Sequence, residues 1–194
     1  MKKLILITLF AFTLISCDLF TTRKSETPDQ GRSNFQPAVQ PSIAIENLKN
    51  ALNDKNISNY MACFVDTLFA KKQFLFLSSS EAAGNYPIFL QGWGLNEEKS
   101  YITNVFNNVS VDFPITLTLS DTSLSYLSGD SLIYFASYFL TVPFSPDKPF
   151  PTNYSGNLEF SMLRDNRAVW VIYFWKDSKS QDLPSWSELK GNFY

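Results

Sequence analysis

The spacing of hydrophobic residues along this chain changes near residue 110, from a helical period to alternation. The first predicted helix starts at Ser42, an N-cap residue after Pro41, and ends at the polar run 53–56. A second helix follows, because apolar residues recur at the i, i+3, i+4 and i+7 spacing of one buried face. These residues are Ile57, Tyr60, Met61 and Phe64.

A short strand and a third helix complete the first half of the chain. The apolar run 74–77 favours a strand, and residues 78–95, with several Ser, Gly and Pro, are predicted to form a long loop. The third helix opens at Asn96, where Glu97 and Glu98 suit the positive end of the helix dipole. Its buried side is supplied by Tyr101, Ile102, Val105, Phe106 and Val109.

Four longer segments rich in β-branched and aromatic residues follow, separated by turn signals. They cover residues 111–119, 131–144, 158–163 and 169–175. The last segment is apolar on both faces, so an internal position in the sheet is predicted. Helices first and strands afterwards predict an α+β domain, in which a helical hairpin and a third helix pack on a mainly antiparallel sheet.

The N-terminal residues carry an export signal. Lys2 and Lys3 precede the apolar run 4–15, which as a helix covers roughly 18 Å and is too short to cross a bilayer. The following Ser16 and Cys17 complete a motif that resembles the lipobox of bacterial lipoproteins, which implies cleavage before Cys17 and lipid on its thiol. Residues 1–16 are therefore predicted to be a lipoprotein signal peptide. The alternative is an ordinary secretory signal in which Cys17 is incidental.

Residues 17–41 are predicted to be the lipidated cysteine and a flexible polar tether, with the domain at 42–194. This predicts an extracytoplasmic protein anchored by its lipid to a membrane of a bacterial cell envelope. The net charge is −2, with no basic cluster, so nucleic acid is excluded as a partner. Histidine is absent, which excludes Ser-His-Asp and Cys-His catalysis and the usual zinc sites. Cys63 is predicted to be a buried structural thiol.

The order of elements resembles the nuclear-transport-factor-2-like superfamily, which includes ketosteroid isomerases and SnoaL-type cyclases. The resemblance rests on residues 48–66, the closing segment 170–177 and the tail 184–193. It implies that the sheet is strongly curved, that the helices close it into a cone, and that the mouth of the cone opens on an apolar cavity. It also implies the possibility of a homodimer.

The same resemblance points to Asp66 as a carboxylate base and to Tyr60 as a hydroxyl donor. The residues alone allow another interpretation for each. Asp66 is equally well explained as a solvated turn residue, and Tyr60 as an aromatic residue of the core. Trp93 is a candidate for capping a pocket or meeting a partner, and also for packing over the core. Asp121 and Asp130 lack the ligand spacing of a calcium loop, so neither a metal nor a cofactor is predicted.

Two functions are consistent with these observations. The first is a non-catalytic, lipid-anchored envelope protein that binds a small hydrophobic molecule or an envelope protein in or around the cone. The second is an isomerase- or cyclase-type enzyme with a buried carboxylate base. The tether, the aromatic richness and the missing catalytic constellation favour the first.

Overall fold

A computed structural model describes residues 34–145, 147–180 and 182–194, so the predicted signal peptide, Cys17 and most of the tether lie outside the described residues. Within those ranges, no helix is both long and apolar enough to span a bilayer. The helices described are α1 Pro41–Asn53, α2 Ile57–Ala62, α3 Ser80–Asn85, a 3-10 helix Pro87–Gln91, α4 Leu95–Asn108 and α5 Trp186–Asn192. The strands are β1 Leu75–Leu77, β2 Thr116–Ser128, β3 Ser131–Thr141, β4 Asn153–Arg164 and β5 Trp170–Lys179.

These strands form a single sheet in the order β1-β5-β4-β3-β2. Strands β2 to β5 make an antiparallel meander, and β1 pairs in parallel with β5. The predicted α+β class, with helices followed by four antiparallel strands, is therefore confirmed. The internal position predicted for the last strand is confirmed as well, because β5 lies between β1 and β4.

The sheet has one face covered by helices and one face left open. Side chains alternate along β3, so that Tyr134 and Tyr138 are buried on the covered face while Phe135 and Phe139 lie exposed on the other. The register shifts between Ser120 and Ser123, where a bulge strengthens the twist of β2. The curled sheet and its helices form a cone, as the resemblance implied.

The prediction of a long loop over residues 78–95 is wrong, since the segment contains α3 and the 3-10 helix. The serine and proline residues that suggested a loop lie at the beginnings of these two helices. The Ser79 hydroxyl caps α3 by accepting the N–H of Ala82 at 3.3 Å. Pro87 takes the first position of the 3-10 helix, where its missing N–H costs nothing.

The second strand begins at Thr116, later than the predicted residue 111. The Lys55 ammonium accounts for the difference, because it donates to three carbonyl oxygens that a strand would offer to its neighbour. The distances are 2.8, 3.0 and 2.9 Å, to Ser110, Val111 and Phe113.

Other boundaries differ as well, and β2 continues to Ser128, beyond the predicted residue 119. α1 begins at Pro41, one residue before the predicted Ser42, because proline suits the first position of a helix. α2 ends at Ala62, before Phe64, because Phe64 forms a parallel bridge with Ile172 of β5. β4 starts earlier than predicted and β5 ends later.

Candidate functional site

The C-terminal helix α5 lies in the space between the curled sheet and α4. Its Trp186 ring packs 4.6 Å from the ring of Trp175 on β5, and its indole N–H donates to the Tyr101 hydroxyl of α4 at 2.8 Å. Leu189 and Phe193, three and seven residues after Trp186, are buried on the same side of the helix. The resemblance implied an apolar cavity in this space, and the side chains of α5 occupy it instead.

Lys190 lies four residues after Trp186, on the same buried side of α5. It is fully buried beside Glu98 of α4. Its ammonium donates to Glu98 Oε2. The same oxygen accepts the indole N–H of Trp93 at 2.7 Å, and Oε1 accepts the Tyr60 hydroxyl at 2.6 Å. Donors from three separate segments therefore satisfy one buried carboxylate.

The start of α4 positions both Trp93 and Glu98. Glu97 Oε2 accepts the backbone N–H of Gly94 at 2.9 Å, which closes the first turn of the helix. Trp93 precedes this turn and Glu98 lies within it, so their side chains meet inside the cone.

Aromatic rings surround the Lys190 ammonium at distances at which ring faces attract a cation. Burial lowers the pKa of Lys190 to about 8, although the Glu98 carboxylate acts in the opposite direction. Burial and the same carboxylate raise the pKa of Tyr60 well above its ordinary value, which keeps its hydroxyl a donor. The Nζ atom lies 3.9, 4.1, 4.9 and 5.5 Å from the ring centroids of Trp175, Phe76, Tyr101 and Trp93.

A second buried carboxylate, Asp177 of β5, holds the beginning of α5. It accepts the Tyr138 hydroxyl at 2.8 Å, the backbone N–H of Ser187 at 2.8 Å and the Ser187 hydroxyl at 2.5 Å. Tyr138 in turn accepts the backbone N–H of Trp186 at 2.7 Å. Burial raises the pKa of Asp177 above its ordinary value. The hydrogen bonds from Ser187 and Tyr138 act in the opposite direction and make this rise smaller.

Gly156 of β4 makes room for this second cluster. A Cβ atom at residue 156 would lie 2.6 Å from both the Tyr138 hydroxyl and the backbone oxygen of Ser178. The absence of a side chain at this position therefore lets Tyr138 reach Asp177.

A separate cavity of about 170 Å³ lies outside the cone interior, between the extended segment before α1 and the start of β5. Cys63 lines it, and the prediction that Cys63 is a buried thiol is confirmed, with 3% of the residue exposed. Burial raises the pKa of this thiol. Much of the remaining lining is apolar, with Phe35, Ala38, Ala44, Val169 and Trp170.

The structure brings two of the sequence-based candidates together and leaves the third apart. Tyr60 and Trp93 both donate to Glu98, and both are buried in the core. Asp66 is half-buried, and its Oδ1 accepts the backbone N–H of Leu68 within a turn at 2.9 Å. Among the described residues, no group of three His, Cys, Asp or Glu is placed to hold a metal ion.

The principal polar residues of the interior were not singled out from the sequence. Glu98 resembled a solvated first-turn acid, and Asp177 closed a strand-like segment without any motif. Lys190 did leave a signal, because it interrupts the apolar side formed by Trp186, Leu189 and Phe193. A lysine in that position indicates a buried partner of opposite charge.

No family model matches this sequence, and no curated protein matches it significantly. Solved structures do resemble its fold. A candidate aromatic ring hydroxylase from Novosphingobium aromaticivorans has a TM-score of 0.55 at 16% identity, with 73% of this chain and 87% of that chain covered. A candidate dehydratase of the nuclear-transport-factor-2-like family from Streptomyces avermitilis has a TM-score of 0.53 at 11% identity, with 73% and 94% covered.

A protein of the nuclear-transport-factor-2-like superfamily from Salmonella enterica has a TM-score of 0.51 at 10% identity, with 72% of this chain and 87% of that chain covered. At such identities the likeness shows the fold alone. The element order, the curled sheet and these structures agree, and the described domain therefore has the nuclear-transport-factor-2-like fold.

Proposed function

We propose that this protein is a non-catalytic, lipid-anchored protein of the cell envelope that binds another protein on the open face of its sheet. The observation that carries the proposal is the filled interior of the cone, where Trp186 and Lys190 take the space that a ligand needs. The lipid anchor rests on the lipobox resemblance at Cys17, followed by the polar tether.

The open face combines exposed apolar side chains with uncharged polar ones and carries few charges. Leu77, Lys176, Glu159 and Phe135 stand side by side in one row across four strands. Leu77 and Phe135 are 49% and 38% exposed, and Phe139 on the same face is 44% exposed. The row contains one acid beside one base, and the neighbours of Phe139 on this face are Thr118 and Ser155. The face therefore suits a partner whose surface mixes apolar and uncharged polar groups.

Binding of a small hydrophobic molecule has weaker support. The cavity beside Cys63 measures about 170 Å³, whereas pockets for drug-sized ligands span roughly 300–1,000 Å³. A depression of about 400 Å³ between residues 77–81 and 176–179 reaches that size, but its lining is mainly Ser, Glu, Asp and Lys and does not suit a hydrophobic molecule. A ligand inside the cone would first have to displace α5.

An isomerase-type enzyme is the second candidate function, and one observation favours it. Asp177 has a pKa raised by burial and lies beside the Tyr138 hydroxyl, and such chemistry uses a carboxylate base together with a hydroxyl that donates to the substrate oxygen. Solvent-proton exchange into an enolisable ketone, followed by NMR in D₂O, tests this function. Exchange that Asp177→Asn abolishes would support the enzyme and contradict the binding proposal.

Site-specific photo-crosslinking in cells tests the partner proposal. A photoreactive phenylalanine analogue at Phe139 is expected to give one discrete adduct with a different protein. The matched control carries the analogue at Asn107, which is exposed on α4 on the helical side. An adduct of twice the chain mass would show that the partner is a second copy of this chain. Equal labelling from both positions, or none from Phe139, would overturn the proposal.

A further inference from the structure

We infer that the interior of the cone is a binding site for a primary ammonium group, which the chain fills with its own Lys190. This goes beyond partner binding on the open sheet face and concerns the opposite side of the sheet. The ligand class is a primary alkylammonium, such as a lysine side chain or a short amine.

The site belongs to the cone and not to α5. Its carboxylate, Glu98, is held by Tyr60 of α2 and by Trp93 before α4, and neither of these residues lies on α5. The rings nearest to the ammonium come from Trp175 of β5 and Phe76 of β1. The C-terminal helix contributes only the cation.

The chemistry of this site is specific for a cation. An isolated charge is costly to bury, and an apolar residue at position 190 would continue the buried side of α5 without that cost. Several ring faces and a carboxylate together compensate an ammonium group far better than they would a methyl group.

The geometry also favours a primary amine over a quaternary one. A primary ammonium keeps N–H donors for the Glu98 carboxylate, whereas a tetraalkylammonium has none. The Trp175 centroid lies only 3.9 Å from Lys190 Nζ, which leaves no space for methyl groups on the nitrogen. Lys190 and an external amine therefore exclude each other, and α5 acts as an internal occupant of the site.

Chemical rescue of Lys190→Ala tests this inference, with the full chain purified in detergent. The substitution removes the equivalent of n-propylamine, so the probe is n-propylammonium near neutral pH. We expect n-propylammonium to raise the Tm of the variant in a saturable way. We expect n-propanol and tetramethylammonium to bind at least about tenfold more weakly.

Two variants serve as controls. Leu189→Ala removes a buried neighbour from the same helix but leaves the ion pair, and its Tm should not respond to n-propylammonium. Lys190→Ala combined with Glu98→Gln should lose the rescue, because the carboxylate is gone. If Lys190→Ala alone is unfolded, recovery of native tryptophan fluorescence on adding n-propylammonium replaces the Tm. Equal rescue by n-propanol, equal rescue of Leu189→Ala, or no rescue in either assay would overturn the inference.

Discussion

Asp177 accepts two hydrogen bonds from Ser187, one from the backbone N–H at 2.8 Å and one from the hydroxyl at 2.5 Å. The two residues join the covered face of the sheet, near the end of β5, to the first turn of the C-terminal helix. Because both are buried, water cannot replace either bond without opening the fold. The contact therefore fixes where α5 enters the cone.

Replacing Asp177 with Asn should weaken the attachment of α5. An amide has one acceptor oxygen, so a donor from Ser187 or Tyr138 loses its acceptor inside the core, at a cost of about 1–3 kcal/mol in the free energy of unfolding. Urea unfolding followed by tryptophan fluorescence measures the change. The matched control is Asp121→Asn, at an exposed position with φ of 50°, which asparagine tolerates. Equal effects of the two substitutions would contradict this account.

The ion pair between Lys190 and Glu98 should behave as one unit in a double-mutant cycle. Glu98→Gln leaves a buried ammonium without its counter-charge, and Lys190→Met leaves a buried carboxylate without its cation. Each single substitution is expected to cost about 3–5 kcal/mol, and the double variant much less than their sum. Chemical denaturation of all four proteins gives the coupling energy. Additive costs would show that the two charges do not stabilise one another.

The buried Lys190 should make the fold relatively more stable as the pH rises on the alkaline side. Burial lowers the pKa of folded Lys190 to about 8, while an unfolded lysine titrates near ~10.4. Between these values the unfolded chain holds a proton that the folded chain has released, so this group adds to the free energy of unfolding as the pH rises. Burial also raises the pKa of Cys63 and of Tyr60, which lowers the free energy of unfolding at alkaline pH because the unfolded groups ionise there. The contribution of Lys190 is therefore measured as the difference between the wild type and Lys190→Met in urea unfolding, which should grow by about 1–2 kcal/mol from pH 8 to 9.5.

Lys190→Met lacks this contribution, so its free energy of unfolding should fall relative to that of the wild type over this pH range. Above pH ~10 both proteins should lose stability more steeply, because unfolded tyrosines ionise there while burial raises the pKa of Tyr60 and Tyr101 in the fold. A constant difference between the two profiles from pH 8 to 9.5 would contradict the lowered pKa of Lys190.

Two helical glycines should respond to alanine in opposite directions. A Cβ atom at Gly191 of α5 would collide with the Tyr86 ring, whereas a Cβ atom at Gly84 of α3 meets nothing within 4 Å. We expect Gly191→Ala to destabilise the domain by about 1–3 kcal/mol and Gly84→Ala to stabilise it by about 0.5–1 kcal/mol. Thermal unfolding of the pair separates steric cost from helix propensity. A stabilising Gly191→Ala would show that α5 does not pack against Tyr86.

The proposed anchor at Cys17 is tested in cells. Cys17→Ser should abolish palmitate labelling and move the protein out of the membrane fraction, since serine has no thiol to receive the lipid. Cys63→Ser is the matched control, because that thiol is buried and should carry no lipid. Labelling retained in Cys17→Ser would exclude the lipoprotein proposal.

Local patterns in the sequence predicted most of the fold. The spacing of Ile57, Tyr60 and Phe64 predicted a helix, and the alternation across 158–163 predicted a half-exposed strand, because each pattern depends on residues close in the chain. One error arose where a distant side chain intervened. Lys55 delays the start of β2 by satisfying carbonyls more than fifty residues away.

The candidate site was less accessible to sequence reasoning. Tyr60 and Trp93 were recognised as notable aromatics, and both contact Glu98, but nothing local to Glu98 distinguishes it from a solvated acid at the start of a helix. The Glu98 carboxylate is significant only because Lys190 of α5, distant in the chain, donates to it in the folded structure.

By itself, the sequence determined which apolar positions of the longer helices and strands face the core, and the order of those elements, since periodicity and turn residues act over a few neighbours. Only the tertiary structure decided what occupies the cone. Lys190 and Glu98 are separated by 92 residues, and a buried charge finds its partner through the closure of the whole fold. The physical reason is that pairing inside a low-dielectric core depends on three-dimensional proximity, which no local pattern encodes.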